Sequence, residues 1–219
     1  MRTYPVTYKD RFGEESTTIL SDGSTMCLTL RAIEFKGIDF EMLSGKMDHT
    51  QFEYEKYQDG TGYLTNFEMD VQFPIKINSG TIADSGEITA HIRTGREKET
   101  LVSLELTTAF GKFLNSKKHE WFEDALIEIQ QLLPQKCRIK SCLSCRYSNY
   151  HPIGNGMFGG LHCFRNLKCE ARHVSNKGEL MLLWQKGEEE NKIFNVQEIY
   201  DCPEHAFLTQ KDWAYKSWS

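Results

Sequence analysis

No long apolar run occurs in this chain. Its densest aliphatic stretch, Leu180 to Trp184, is far shorter than the roughly 20 apolar residues a membrane-spanning helix needs. The opening segment, Met1 to Asp10, holds no apolar core of a secretory signal, so a cytoplasmic protein with no membrane association is expected. Proline is scarce, 5 in 219 residues, and glycine is ordinary at 16, which excludes collagen-like and proline-rich linker architectures. Hydrophobic residues at 39% with charged residues at 26% exclude a disordered chain. No internal repeat is visible. The length suits one large domain or two small ones, with a core that needs no disulfide staples.

Cysteine is what the sequence has in an unusual pattern. There are seven, at 27, 137, 142, 145, 163, 169 and 202, and an odd count in a reducing compartment argues against structural disulfides. Six of them follow residue 136. Charge is segregated in the same way: the net −5 divides into −8 over residues 1–134, +6 over 135–173 and −3 over the tail. The basic island and the cysteine cluster coincide.

The first half reads as strands. Phe67, Met69, Val71, Phe73, Ile75 and Ile77 alternate with polar residues, the period of a half-buried antiparallel strand, with Pro74 suggesting an edge or a bulge. Met26, Leu28, Leu30 and Ala32 alternate likewise, as do Ile88, Ala90 and Ile92 before a turn at Thr94-Gly95-Arg96, and then Val102, Leu104 and Leu106. Asp59-Gly60 marks a hairpin turn. Seven or eight short strands before residue 110 predict a sandwich or curved sheet. From Lys117 to Leu133 the apolar period becomes helical (Phe122, Ala125, Leu126, Ile129, Leu132, Leu133), with Asn115 or Ser116 as N-cap and Pro134 as the stop. Lys186 to Lys192 reads as an exposed loop. The expected fold is α+β: a β-rich body over 1–134 that ends in one long amphipathic helix, 117–133, and a cysteine-bearing lobe over 135–219, either separate or packed on the same core.

Cys142-Leu-Ser-Cys145 is a C-x-x-C turn that brings two sulfurs to one side. Cys163 and Cys202 complete four thiolates, a set suited to a closed tetrahedral zinc site. An iron–sulfur cluster and ordinary buried thiols are the rival readings. Cys169 and His205 are spare ligands, and Cys137 reads as core. Arg146, Arg165, Asn166 and Lys168 lie close in sequence and are candidates either to offset the charge of such a centre or to meet a partner. Tyr147, Tyr150, Phe158 and Phe164 are interleaved among them, as a single-strand nucleic-acid binder requires. Gly154-Asn-Gly-Met-Phe-Gly-Gly160 lacks the Lys-Ser/Thr of a phosphate loop and reads as a turn that returns Cys163 to the first cysteine pair.

Trp121-Phe-Glu-Asp-Ala-Leu126, the C-x-x-C, Gly154-Asn-Gly-x-Phe-Gly159, Cys163-Phe-Arg-Asn166 and Val196-Gln-Glu-x-Tyr-x-Cys202-Pro-Glu204 together resemble an uncharacterised bacterial family of unknown function. The resemblance groups Cys142, Cys145, Cys163 and Cys202 as one set, makes Arg165 and Asn166 companions of the third cysteine, leaves Cys137, Cys169 and His205 outside it, and implies no activity. The expectation is a non-enzymatic, immunity-like or adaptor protein that binds a protein partner. A nucleic-acid binder using the basic lobe is the alternative, and a metal-dependent enzyme with an open coordination position a second one.

Overall fold

The computed structural model describes residues 1–80, 83–95, 100–154 and 156–218. Twelve strands form one antiparallel sheet. In chain order they are β1 (Arg2–Asp10), β2 (Gly13–Ser21), β3 (Met26–Leu30), β4 (Ile33–Gly37), β5 (Ser44–Gly45), β6 (Tyr54–Lys56), β7 (Gly62–Leu64), β8 (Glu68–Asn78), β9 (Ala83–Arg93), β10 (Leu101–Thr108), β11 (Gly111–Leu114) and β12 (Arg138–Lys140). The spatial order is β11-β10-β9-β8-β1-β2-β3-β4-β5-β7-β6, with β12 also on β8. Strict alternation sets this up. Every second side chain of β8, from Met69 to Ile77, is buried while its neighbours face out. Burying one face of so long a sheet takes most of the apolar residues of the first half, among them Tyr4, Tyr8, Phe35 and Phe73.

Several details depart from the sequence pattern. Ten strands begin before residue 110, where seven or eight are expected, and all of them join one continuous sheet. Pro74 is not at an edge. It faces Glu87 of β9, and on the other side of β8 it falls between the stretch paired with β1 (Glu68–Val71) and the stretch paired with β12 (Lys76–Asn78), a gap where the missing N–H leaves no ladder bond broken. The third strand stops at Leu30, because Arg31 and Ala32 take left-handed φ values of 46° and 64° and form the two-residue turn between β3 and β4. The Asp59-Gly60 turn joins β6 to β7. The turn expected at Thr94-Gly95-Arg96 falls partly outside the described residues.

The helix is shorter than its periodicity suggests. It runs as α1 (Phe122–Leu132), with Trp121 at the N-cap and no capping side chain. Residues 115–119 bend back to the sheet instead. His119 exchanges backbone hydrogen bonds with Val102, Asn115 accepts from the Leu104 N–H through its side chain, and Glu128 accepts from Asn115 and the Ser116 N–H and contacts His119 Nε2 at 2.6 Å. These bonds to β10 outweigh an extra turn of helix. Phe122, Ala125, Leu126, Ile129 and Leu133 are buried as expected, but Leu132 is exposed and Glu123 is buried.

After the helix the chain builds a second, three-stranded sheet from β13 (Ser148–Tyr150), β14 (Leu161–Cys163) and β15 (Phe194–Val196). Two helices, α2 (Lys168–Ala171) and α3 (Lys177–Glu189), lie between β14 and β15. The stretch from Lys186, expected as loop, is still helix to Glu189, because Leu180, Leu183 and Gly187 bury one face of α3. Asn176 caps it through the Glu179 N–H. This lobe is not held apart from the body. Cys142, Leu143, Tyr150, Phe158, Leu161, Val196 and Trp218 belong to the same apolar core as the large sheet, while Phe164, Leu167, Leu180, Leu183 and Ile193 form a smaller one beneath α3.

Candidate functional site

Three chain segments meet at the cysteines. The C-x-x-C turn is closed by the Cys145 N–H on Cys142 O at 3.1 Å. The Ser148 hydroxyl donates back to Cys142 O and to Cys145 O. Pairing of β13 with β14 sets Cys163 opposite Ser148, so the glycine-containing loop between those strands does return the third cysteine to the first two. The third segment is fixed by the Cys142 N–H on Tyr200 O at 2.9 Å and the Arg146 N–H on Ala206 O at 2.8 Å, which brings in Cys202. All four cysteines are buried, at 2–5% exposure, and Cys145, Cys163 and Cys202 all act electrostatically on Cys142.

As bare thiols Cys142 and Cys163 resist ionisation. Burial pushes Cys142 well above its ordinary value, with the other three sulfurs adding to the shift, and burial likewise pushes Cys163 up to about 11. A bound divalent cation would invert that balance, since thiolates ionise outright on a metal. Among the described residues, no three His, Cys, Asp or Glu side chains converge at metal-holding geometry; the sulfurs are neighbours, not a preformed cage.

Two cations flank them. Arg165 places Nη1 3.9 Å from Cys202 Sγ and lies over the Phe194 ring. Lys216, which the sequence pattern did not single out, is half-buried, and its ammonium is strongly desolvated. It donates to Cys145 O at 2.5 Å and to Ser148 Oγ at 3.0 Å. Desolvation lowers it to about 8, against the pull of Cys145, Cys142, Glu123 and Cys163. No carboxylate pairs with it among the described residues. A signal was present in the sequence: Lys216 stands among Trp213, Tyr215 and Trp218, and such aromatic spacing in a terminal segment marks a strap that docks. The strap is fastened by the Tyr215 N–H on Asn149 Oδ1 and the Ser217 N–H on Glu123 Oε1.

The other candidates are placed as follows. Asn166 donates to Lys192 O at 3.2 Å, beyond the end of α3. Lys168 pairs with Glu204 at 2.6 Å and sits over the Tyr147 ring. Arg146 pairs with Asp212. Arg172 donates to the Tyr147 hydroxyl, Lys140 pairs with Asp201, and Arg138 donates to Leu208 O and covers Phe207. With Arg165 these make six of the seven cations of the basic island, each committed to a partner within the chain. Cys169 is exposed, and His205 Nε2 is taken up by Ser144 Oγ at 3.0 Å, so neither spare ligand joins the set. Cys137 is core, as expected.

An extended antiparallel sheet with a cysteine-centred lobe sharing its core is therefore the class of protein the fold and site define. The chain belongs to the DUF6304 family, a family of unknown function, whose model matches residues 2–148. That match takes in the whole large sheet, α1 and the C-x-x-C. No curated protein and no solved structure matches the chain. Among the described residues no helix is long and apolar enough to cross a membrane.

Proposed function

We propose that this protein is a non-enzymatic binding protein whose C-terminal lobe is organised by a closed zinc centre on Cys142, Cys145, Cys163 and Cys202. The observation that carries the zinc reading is Lys216. An enclosed ammonium without a carboxylate partner is costly, and four neutral thiols would leave it unanswered. Four thiolates around a divalent ion carry a net charge of −2, which Lys216 offsets together with Arg165, itself shared with Glu204 at 3.9 Å. The low exposure of all four sulfurs favours a structural ion over a catalytic one, which keeps an open position for water or substrate.

A protein partner is preferred over nucleic acid because the basic island is largely spent inside the lobe. Counterion release needs cations free to reach phosphates, whereas Arg146, Lys168 and Lys140 pair with Asp212, Glu204 and Asp201, and Arg172 donates to Tyr147. The deciding experiment is metal analysis by mass spectrometry with an absorption spectrum on the freshly purified chain. About one zinc per chain without a visible band is the expected result, and Cys163→Ser should lose it. A brown protein containing iron, or a folded protein with no metal, overturns the reading.

A further inference from the structure

The loop between β13 and β14 is held on the body by two buried carboxyl groups that the zinc reading does not use. Asp39, 2% exposed, stands ahead of the 3₁₀ turn at Phe40–Met42. Its Oδ1 accepts the Glu41 N–H at 3.2 Å and its Oδ2 the Phe158 N–H at 3.1 Å. Glu198, wholly buried after β15, accepts the next amide along, the Gly159 N–H, on Oε2 at 2.6 Å, while the Tyr150 hydroxyl donates to Oε1 at 3.2 Å. Adjacent peptides of one loop thus hang from two carboxyl groups, one from the body and one from the lobe. The seat is close-fitting: a Cβ on Gly159, at φ +74°, would lie 2.1 Å from Ile38 O, and one on Gly156 2.3 Å from Asp39 Oδ2. Between them Phe158 packs its ring among Phe40, Phe122 and Phe73 at 4.9–6.0 Å.

We infer that the Asp39–Glu198 pair is a proton-operated latch that fastens this loop, and with it the cysteine lobe, to the sheet. Neither carboxyl makes an ion pair among the described residues. The groups facing Asp39 are Glu41 and Glu198, and those facing Glu198 are Asp39 and Tyr150. Behind Tyr150 stand Glu123 and Asp124 of α1, and Lys216 acts on Glu123. Two desolvated groups of like charge cannot both ionise cheaply. Burial raises Asp39 to about 7 and Glu198 to about 8. Asp39, Glu41, Glu55 and Glu120 also line a cavity of about 360 Å³ beside the loop, which gives water a route to Asp39.

The sign follows from proton counting. A released loop returns both carboxyls toward their ordinary values of 3.8 and 4.5, so the docked loop binds more protons than the released one. Docking is strongest at pH values below both ordinary ones. It weakens by about tenfold per pH unit for each carboxyl as pH rises toward its raised value, then levels off.

Hydrogen exchange of the Phe158 and Gly159 amides in the full chain tests the latch, with rates corrected for intrinsic exchange. Between pH 5.5 and 7.5 the protection of these two amides should fall more than tenfold while that of β8 and β9 changes less. Glu198→Gln keeps the acceptor without the charge and should lessen the fall. Protection that does not change with pH overturns the proposal, as does an equal fall across loop and sheet or an unaltered fall in Glu198→Gln. Should that variant not fold, the comparison of loop with sheet in the wild-type chain decides alone. Zinc content measured separately distinguishes failure of the latch from failure of the metal reading, because no hydrogen bond or ion pair joins either carboxyl group to a cysteine among the described residues.

Discussion

Replacing Lys216 by Met separates a charged metal centre from a cluster of neutral thiols. The substitution keeps the length of the stem and its contacts along the strap but removes the ammonium from beside Cys145 and Ser148. If the four sulfurs are neutral, an enclosed charge is lost at little cost. Cys145 O keeps the Ser148 hydroxyl as a donor, and removing an uncompensated buried cation is neutral or stabilising. If they hold a divalent ion as thiolates, half of the compensating charge disappears from a low-dielectric site. Breaking a buried charge pairing of this kind costs about 3–5 kcal/mol, or roughly a hundredfold to several thousandfold in zinc affinity. The assay is zinc competition with a chromogenic chelator, alongside urea unfolding of wild type and variant. A Lys216→Met protein that binds zinc like wild type and unfolds within about 1 kcal/mol of it would refute the charge-balance argument.

Three further outcomes follow from the fold. Gly159→Ala should cost about 2–4 kcal/mol, combining a left-handed backbone position with a Cβ that has no room beside Ile38 O; a thermal melt unchanged within error would contradict it. Phe158→Ala empties the aromatic seat between Phe40 and Phe122 and should cost about 3–5 kcal/mol, read from chemical denaturation. Asp10 meets Arg31 through two parallel bonds of 2.7 and 2.8 Å. Burial alone would raise its carboxyl, but Arg31, the Phe12 N–H and the Tyr8 hydroxyl together hold it below its ordinary value. The stability it supplies is present above that ordinary value and lost as pH falls through the depressed one. Asp10→Asn should therefore lose about 2–3 kcal/mol at neutral pH and show a shallower decline in acid, measurable by denaturation from pH 7 to 3.

Much of the sheet was legible because a one-sided strand writes its burial into the sequence with period two: Met69 to Ile77, Met26 to Leu30 and Val102 to Leu106 are all buried on the face the alternation predicts. The core face of α1 was legible for the same reason, at its own period. The helix start was not, since nothing local says that Glu128 will reach back to bind Ser116 and His119 while His119 bridges to Val102 of β10. The grouping of Cys142, Cys145, Cys163 and Cys202 could be named from spacing and resemblance, because a C-x-x-C turn is a local device. That they are neighbours, with Lys216 reaching in from 71 residues beyond Cys145, depends on strand pairing and a docked tail. The acidic latch was illegible altogether: Asp39 and Glu198 are ordinary carboxylates in sequence, and only the packing of the large sheet against the small one removes water from both and hands them two adjacent amides of the same loop. Local periodicity determined which residues lie inside; long-range packing decided which charges are left there, because desolvation is a property of the assembled core and not of any segment.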